Sequence, residues 1–234
     1  MALVKYGGGI IQQSGSMGGS TYARNRFGNY VRARTKPVNP KSSRQSAARI
    51  IMMYLAEAWR ESPMTDAIRA NWETYAQSVS WLNKLGEAVT LTGFNMFMRS
   101  NAALLGCGGA IVTAAPTDLG LPAADPTFSV AGSEAAQLLA ITFDDTATWC
   151  DLALAHMVID MGIPQNPTRN FFGGPWRFSG VLDGSVGSPP TTGDTVAVAW
   201  PLVEGQRIWC RASIIQPDGR VTTKFESANF LVTA

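Results

Sequence analysis

Acidic side chains are missing from the first 49 residues of this 234-residue chain, a stretch that holds nine Lys and Arg and no Asp or Glu. The rest of the chain holds ten basic residues against seventeen acidic ones, so an overall +2 conceals a basic head and a body of −7. A head and a body of opposite sign attract each other between neighbouring copies. Cysteine is sparse, at Cys107, Cys150 and Cys210, and never in a CxxC pair. That usage argues against a metal site or a disulfide framework, leaving a bridge between Cys150 and Cys210, both in predicted strands, as the one pairing still open. No apolar run reaches the ~18 uncharged residues that span a bilayer, and the opening MALVKYGGGIIQQSG lacks the apolar core of a secretion signal. The expected compartment is the cytoplasm of the cell that makes the chain.

Reactive motifs are equally scarce. His156 is the sole histidine and sits in the apolar run ALAHMVID. Asp151 and Asp160 are close to it in sequence, but no Ser or Cys motif accompanies them, so a strand histidine is the simpler reading. Asp144 and Asp145 are one adjacent carboxylate pair, explained by a turn or by a calcium site if further oxygens converge. The glycine runs at 7–9, 18–19 and 106–109 lack the Lys-Ser/Thr and the strand-to-helix setting of a phosphate loop. No catalytic residue, cofactor or metal ligand is assigned, and the expectation is a structural, partner-binding protein.

What the chain does contain is organised by period. Residues 1–21 are rich in Gly, Ser and Gln, and such a segment loses too much backbone entropy to order alone. From Tyr22 onward, Tyr22, Phe27 and Tyr30 interleave with Arg24, Arg26, Arg32, Arg34 and Lys36. Val31, Ala33 and Thr35 alternate with the basic residues, which predicts an extended arm or strand laid on another surface. These eight aromatic and basic residues are the candidate partner-binding set. As a protein-binding element the arm anchors through Arg and Tyr on an acidic neighbour. As a nucleic-acid element it neutralises phosphates and stacks on bases. A solvated basic tail is the third reading.

Pro37 and Pro40 disfavour helix before them, and a helix is predicted from Ser43 to Glu61, with one apolar face through Ala47, Ile50, Ile51, Tyr54, Leu55, Ala58 and Trp59. Thr65 caps a second helix carrying Ile68, Trp72, Tyr75, Ala76 and Val79, continuing toward Leu85 before Gly86. A third spans Thr92 to Leu105. Residues 106–125 are small and proline-bearing and mark a boundary. Beyond it, segments at 127–130, 138–143, 152–159, 176–181, 195–203, 207–215 and 221–232 read as strands. Seven short strands in about 110 residues are the pattern of an immunoglobulin or fibronectin III sandwich. The firmest local feature is Gln216-Pro217-Asp218-Gly219, a type I turn pattern. The expected fold is therefore α+β: an extended basic arm over 1–41, a helical segment over 42–106, a linker over 107–125, and an antiparallel β-sandwich over 126–234.

The stretch GGSTYARNRFGNYVRARTKPVNPKSSRQSAAR, followed by Trp59, Trp72 and LTGFNMFMRSN at 91–101, resembles an N-terminal module of uncharacterised virion structural proteins of tailed bacteriophages and prophages. The resemblance covers about residues 18–102. It implies a virion location, as a head decoration or cementing protein or as a head-to-tail or tail component. It also implies partners among capsid, connector or tail subunits and copies of the chain itself. The family has no assigned catalytic residues, so none is carried over. A nucleic-acid-binding assembly factor, and a host-surface or carbohydrate-binding module using Phe171, Phe172 and Trp176, are the alternatives.

Overall fold

Three side-chain oxygens start the three helices. Ser42 accepts from Gln45 N at 3.4 Å to open α1 (Ser43–Ala58), Thr65 from Ile68 N at 3.3 Å to open α2 (Asp66–Ser78), and Thr92 from Asn95 N at 3.2 Å to open α3 (Gly93–Gly106). The computed structural model describes residues 2–35, 38–83 and 85–234. It is an α+β protein of three helices and several antiparallel sheets.

The N-terminal strands are β1 (Ala2–Leu3), β2 (Gly15–Met17), β3 (Ser20–Asn25) and β4 (Gly28–Ala33), paired in the order β1-β4-β3-β2. The expected extended arm instead pairs with itself. Gly18 and Gly19, at φ of 54° and 81°, form the two-residue turn between β2 and β3, a left-handed geometry that glycine adopts without cost. A short hairpin, β5 (Trp81–Leu82) with β6 (Ala88–Val89), occupies the interval where α2 was expected to continue.

The helices enclose one apolar cluster in which Leu55, Trp72, Tyr75, Met96 and Phe97 are all at 0% exposure. Trp72 and Phe97 meet edge to face at 5.4 Å, and Trp59 tilts against Phe97 at 5.1 Å. Gly93 lets α3 start against the backbone of α2: a Cβ there would lie 2.7 Å from Glu73 N, while the Glu73 carboxylate accepts from Gly93 N at 2.5 Å. That bond, first, and the one from Gln77 hold Glu73 below the usual carboxylate range. The stretch expected as a free linker is strapped to the helices. Trp72 Nε1 donates to Thr113 O at 2.8 Å, Asn101 holds Val112 from both sides of its amide, and Ser78 Oγ donates to Leu119 O at 2.7 Å.

The C-terminal strands are β7 (Ser129–Gly132), β8 (Leu138–Thr142), β9 (His156–Gly162), β10 (Trp176–Asp183), β11 (Thr195–Ala197), β12 (Arg207–Ile208), β13 (Cys210–Ile215), β14 (Phe225–Glu226) and β15 (Phe230–Leu231). They form a sheet β10-β9-β13-β14, a sheet β11-β8-β7 and a small pair β12-β15. The two larger sheets share one core that includes Leu139, Ile141, Met157, Ile159, Met161, Cys210 and Ala212. All three cysteines are free thiols. The turn at Gln216–Gly219 forms as expected, with Gly219 N donating to Gln216 O at 3.0 Å and Gly219 at φ 88°.

The outer face of the β9/β13 region is covered by α3, where Leu104, Ile215 and Val221 are buried together. Arg99 clamps this contact, donating to Val221 O at 3.0 Å and Thr222 O at 2.8 Å while lying 4.6 Å over the Trp81 ring.

Two stability predictions follow from this packing. Gly93→Ala, which drives a methyl into the α2 backbone, costs on the order of 1–3 kcal/mol, whereas Gly106→Ala meets open space and is neutral or slightly stabilising; urea denaturation of both variants checks the pair. Burial pushes the Cys210 thiol from its ordinary 9.0 up to about 12. The folded state therefore keeps that proton after the unfolded chain has lost it. Stability is full below pH 9 and falls above it, by on the order of 1.4 kcal/mol per pH unit for such a thiol. The urea midpoint is expected to drop between pH 8 and pH 10.5, and an unchanged midpoint would contradict the assignment.

Candidate interaction surface

None of the described residues 2–54 is buried; the first buried side chain along the chain is Leu55. This exposed head is also the segment without acids. Short strands need an apolar face or a packed neighbour to be stable in water, and in this sheet the side chains of β3 and β4 are at most partly buried while those of β2 are exposed.

Register assigns the candidate residues to faces, because directly paired residues share one. Tyr22 pairs with Val31 and Arg24 with Asn29, so Tyr22 and Arg24 lie on one face. Ala23 pairs with Tyr30 and Thr21 with Arg32, so Tyr30 and Arg32 lie on the other, and Leu3, opposite Tyr30, joins them. Arg26 and Phe27 are the tip of the β3–β4 hairpin, held by Phe27 N donating to Asn25 Oδ1 at 2.9 Å. Arg34 follows β4 and donates its N–H to Gly19 O at 2.7 Å. Lys36 lies outside the described residues. The set is therefore distributed over two faces and a tip rather than along one edge of an arm.

At the end of the sheet away from its tip, Ser16, Thr21, Arg32, Arg34 and Thr35 line a cleft of about 330 Å³, with the Ser16 and Thr21 hydroxyls hydrogen-bonded at 2.9 Å. Two guanidiniums beside three hydroxyls are donors suited to a phosphate or a carboxylate.

Sequence reasoning placed Ile50, Ile51, Tyr54 and Leu55 on a single helix face, and the structure divides them. Leu55, Ile51 and Trp59 turn to the core, while Ile50, Met53 and Tyr54, spaced three and four apart, stay exposed with Met52 beside them. Ile50 is 61% and Met53 57% exposed, and Ile11 and Val38 upstream are 90% and 88% exposed. These exposed apolar side chains lie in the same N-terminal stretch as the basic sheet, and large exposed apolar surface is a common feature of interaction sites. The N-terminal half of α1 also stands away from the body, across a groove of about 590 Å³ lined by Arg44, Ile51, Ala102, Val158 and Lys224 among others.

The other candidate residues have structural partners. His156 is buried, its Nδ1 lies 2.6 Å from Asp183 Oδ1, and its Nε2 has no partner among the described residues. Asp183 was not anticipated, because it comes from the facing strand β10, 27 residues along the chain. Asp160 instead pairs with Arg211 at 3.0 Å and with Lys224. Asp144 accepts from the Thr146 amide and hydroxyl, which hold its carboxyl below the usual range, and Asp145 accepts from Thr192 N. No group of three or more His, Cys, Asp or Glu side chains poised to hold a metal occurs among the described residues. The aromatic loop gives little platform for a sugar. Phe172 is buried, stacked on Trp209 at 5.4 Å, and one face of Trp176 is taken by the Arg211 guanidinium at 4.4 Å, leaving Phe171 exposed.

Comparison with protein families, with curated proteins and with solved structures finds no match for the chain.

Proposed function

We propose that the protein is a structural component of a tailed-phage particle, in the head or at the head-to-tail or tail region, which binds neighbouring subunits through its basic N-terminal head. The observation that carries this reading is the coincidence of three properties in residues 2–54: no fully buried side chain among the described residues, no acid, and several exposed large apolar residues. A segment of that kind gains its burial from a neighbour, and binding that is available only in an assembly stabilises the assembly by mass action. The resemblance of residues 18–102 to virion proteins supplies the particle, and the acidic remainder of the chain supplies a surface of matching sign.

The C-terminal part is read as a fibronectin-like sandwich. Support comes from strand order. β7, β8 and β11 form one sheet, and β10, β9, β13 and β14 form the other, around a common core. Relative to the immunoglobulin constant arrangement, the fourth strand has joined the opposite sheet. Such a module supplies bulk and exposed loops, and it carries the head outward from, or against, a shell.

A second reading is favoured by the cleft of Ser16, Thr21, Arg32, Arg34 and Thr35, whose donors match a nucleic-acid backbone. The two readings differ in salt dependence. Binding that neutralises several phosphates weakens by orders of magnitude between about 50 and 200 mM salt, whereas a head seated on protein through Ile50, Met53 and Tyr54 does not. Titration of the full chain with duplex and single-stranded DNA across that range is expected to show no more than weak binding even at the low-salt end; tight binding at about 50 mM salt that weakens by orders of magnitude toward about 200 mM would favour the nucleic-acid reading.

Particle membership is the direct test. The chain is expected in stoichiometric amounts in mass spectra of purified virions, and a chain lacking residues 1–41 is expected to fold, by circular dichroism, yet be missing from particles. Absence of the full-length chain from virions, or normal incorporation of the truncated one, would contradict the proposal.

A further inference from the structure

The N-terminal sheet rests on the helical part of its own chain, and the way it rests is informative. Leu3 and the tip residue Phe27 face Trp81, Leu82, Val89 and Leu91 across a cleft of about 410 Å³ that the sheet leaves unfilled. Leu82 in that seat is 77% exposed, and Trp81 Nε1 is shielded from water with no hydrogen-bond partner. Among the described residues, one ion pair, Lys5 to Glu87 at 2.5 Å, is the only hydrogen bond or salt bridge that ties residues 2–35 to the rest of the chain. Both of its side chains are substantially exposed. Arg26 at the hairpin tip adds a weaker attraction to Glu73 on α2. Glu87 and Glu73 thus offer carboxylates to Lys5 and Arg26 at the edge of a cleft that Arg99 also lines, while its apolar floor is left unfilled.

The connection between sheet and helices places few limits on where the sheet sits. The described residues of the connector, 34, 35 and 38–42, are all exposed. The ten residues from Ala33 to Ser43 reach at most about 35 Å when extended. That span is comparable to the width of a small domain.

We propose, building on the particle-protein reading above, that the sheet is exchanged between copies: in the assembled state the basic sheet of one chain leaves its own seat and occupies the Trp81–Leu91 seat of a neighbouring copy. The same contacts form in either arrangement, so exchange loses no interaction energy. Its cost is the entropy of association, which a high local concentration offsets. Each chain has one sheet and one seat, so successive exchanges link copies head to tail. They close into a ring if the rotation allows and otherwise continue as an open array. The partner is a second copy because its seat offers Glu73 and Glu87 to Arg26 and Lys5 in the register already observed.

The test uses full-length chains of two isotopic compositions, one with natural nitrogen and one with ¹⁵N, mixed in equal amounts at high protein concentration and treated with a zero-length carbodiimide. Digestion and mass spectrometry then read the Lys5–Glu87 amide conjugate, and the Glu87→Gln variant confirms its identity by losing it. Exchange predicts mixed-label conjugates that approach half of the total at high concentration and fall on dilution. Conjugates of a single label at every concentration, or no Lys5–Glu87 conjugate, would overturn the inference. Particle membership is measured separately. Mixed conjugates from a chain absent from virions would defeat the particle reading alone, and single-label conjugates from a chain present in virions would defeat exchange alone.

Discussion

Among the described residues full burial begins at Leu55, and the rest of the architecture can be ordered around that fact. From there on, two apolar clusters form, one among the helices and one between the C-terminal sheets, and α3 joins them through Leu104, Ile215 and Val221. Arg99 secures the joint because its fork reaches two carbonyls on the β13–β14 connection while its plane covers Trp81. Before Leu55 the described residues form backbone hydrogen bonds but are at most partly withdrawn from water. A hydrogen bond is worth only about 1 kcal/mol net in folding, so backbone pairing alone does not offset the entropy of ordering the N-terminal sheet. In the proposed reading the further stabilisation comes from a neighbouring subunit.

Charge follows the same division. The head, whose described side chains are at most partly buried, is the part without carboxylates, and the acidic residues lie on the remainder of the chain. In the proposed reading this separation supplies attraction at range and a preferred orientation between molecules, while the exposed Ile50, Met53 and Tyr54 supply contact area once the surfaces meet. The C-terminal module shows the opposite character: His156, Asp144, Asp145 and Asp160 are each engaged by neighbours in the same chain, and Phe172 and Trp176 are engaged by Trp209 and Arg211.

Much of this was legible in the residues. Helix starts were readable because Ser42, Thr65 and Thr92 are oxygen-bearing caps just before periodic apolar runs. Each of the seven segments read as strands contains strand in the structure, since alternation and turn residues are local signals. What eluded the reading was pairing between distant segments. The Asp183 partner of His156 lies on another strand, and the fit of Gly93 against Glu73 depends on how two helices cross. Strand character from Tyr22 onward was legible in the alternation of Val31, Ala33 and Thr35, but its pairing into a sheet of its own was not: Gly18-Gly19 between GSM and STYARN is a hairpin signal, while the glycine-rich surroundings pointed to disorder. The connector at 106–125 has the composition of a tether, while its carbonyls are fixed by Trp72, Asn101 and Ser78.

The central claim is that the head depends on a neighbour for its order, and amide hydrogen exchange of the full-length chain, dilute and then assembled, tests it most directly. The account predicts that amides of β2, β3 and β4 exchange orders of magnitude faster than those of β9 and β13 in the dilute chain, and become protected on assembly. Protection of the N-terminal strands in the dilute chain equal to that of β9 and β13 would contradict it.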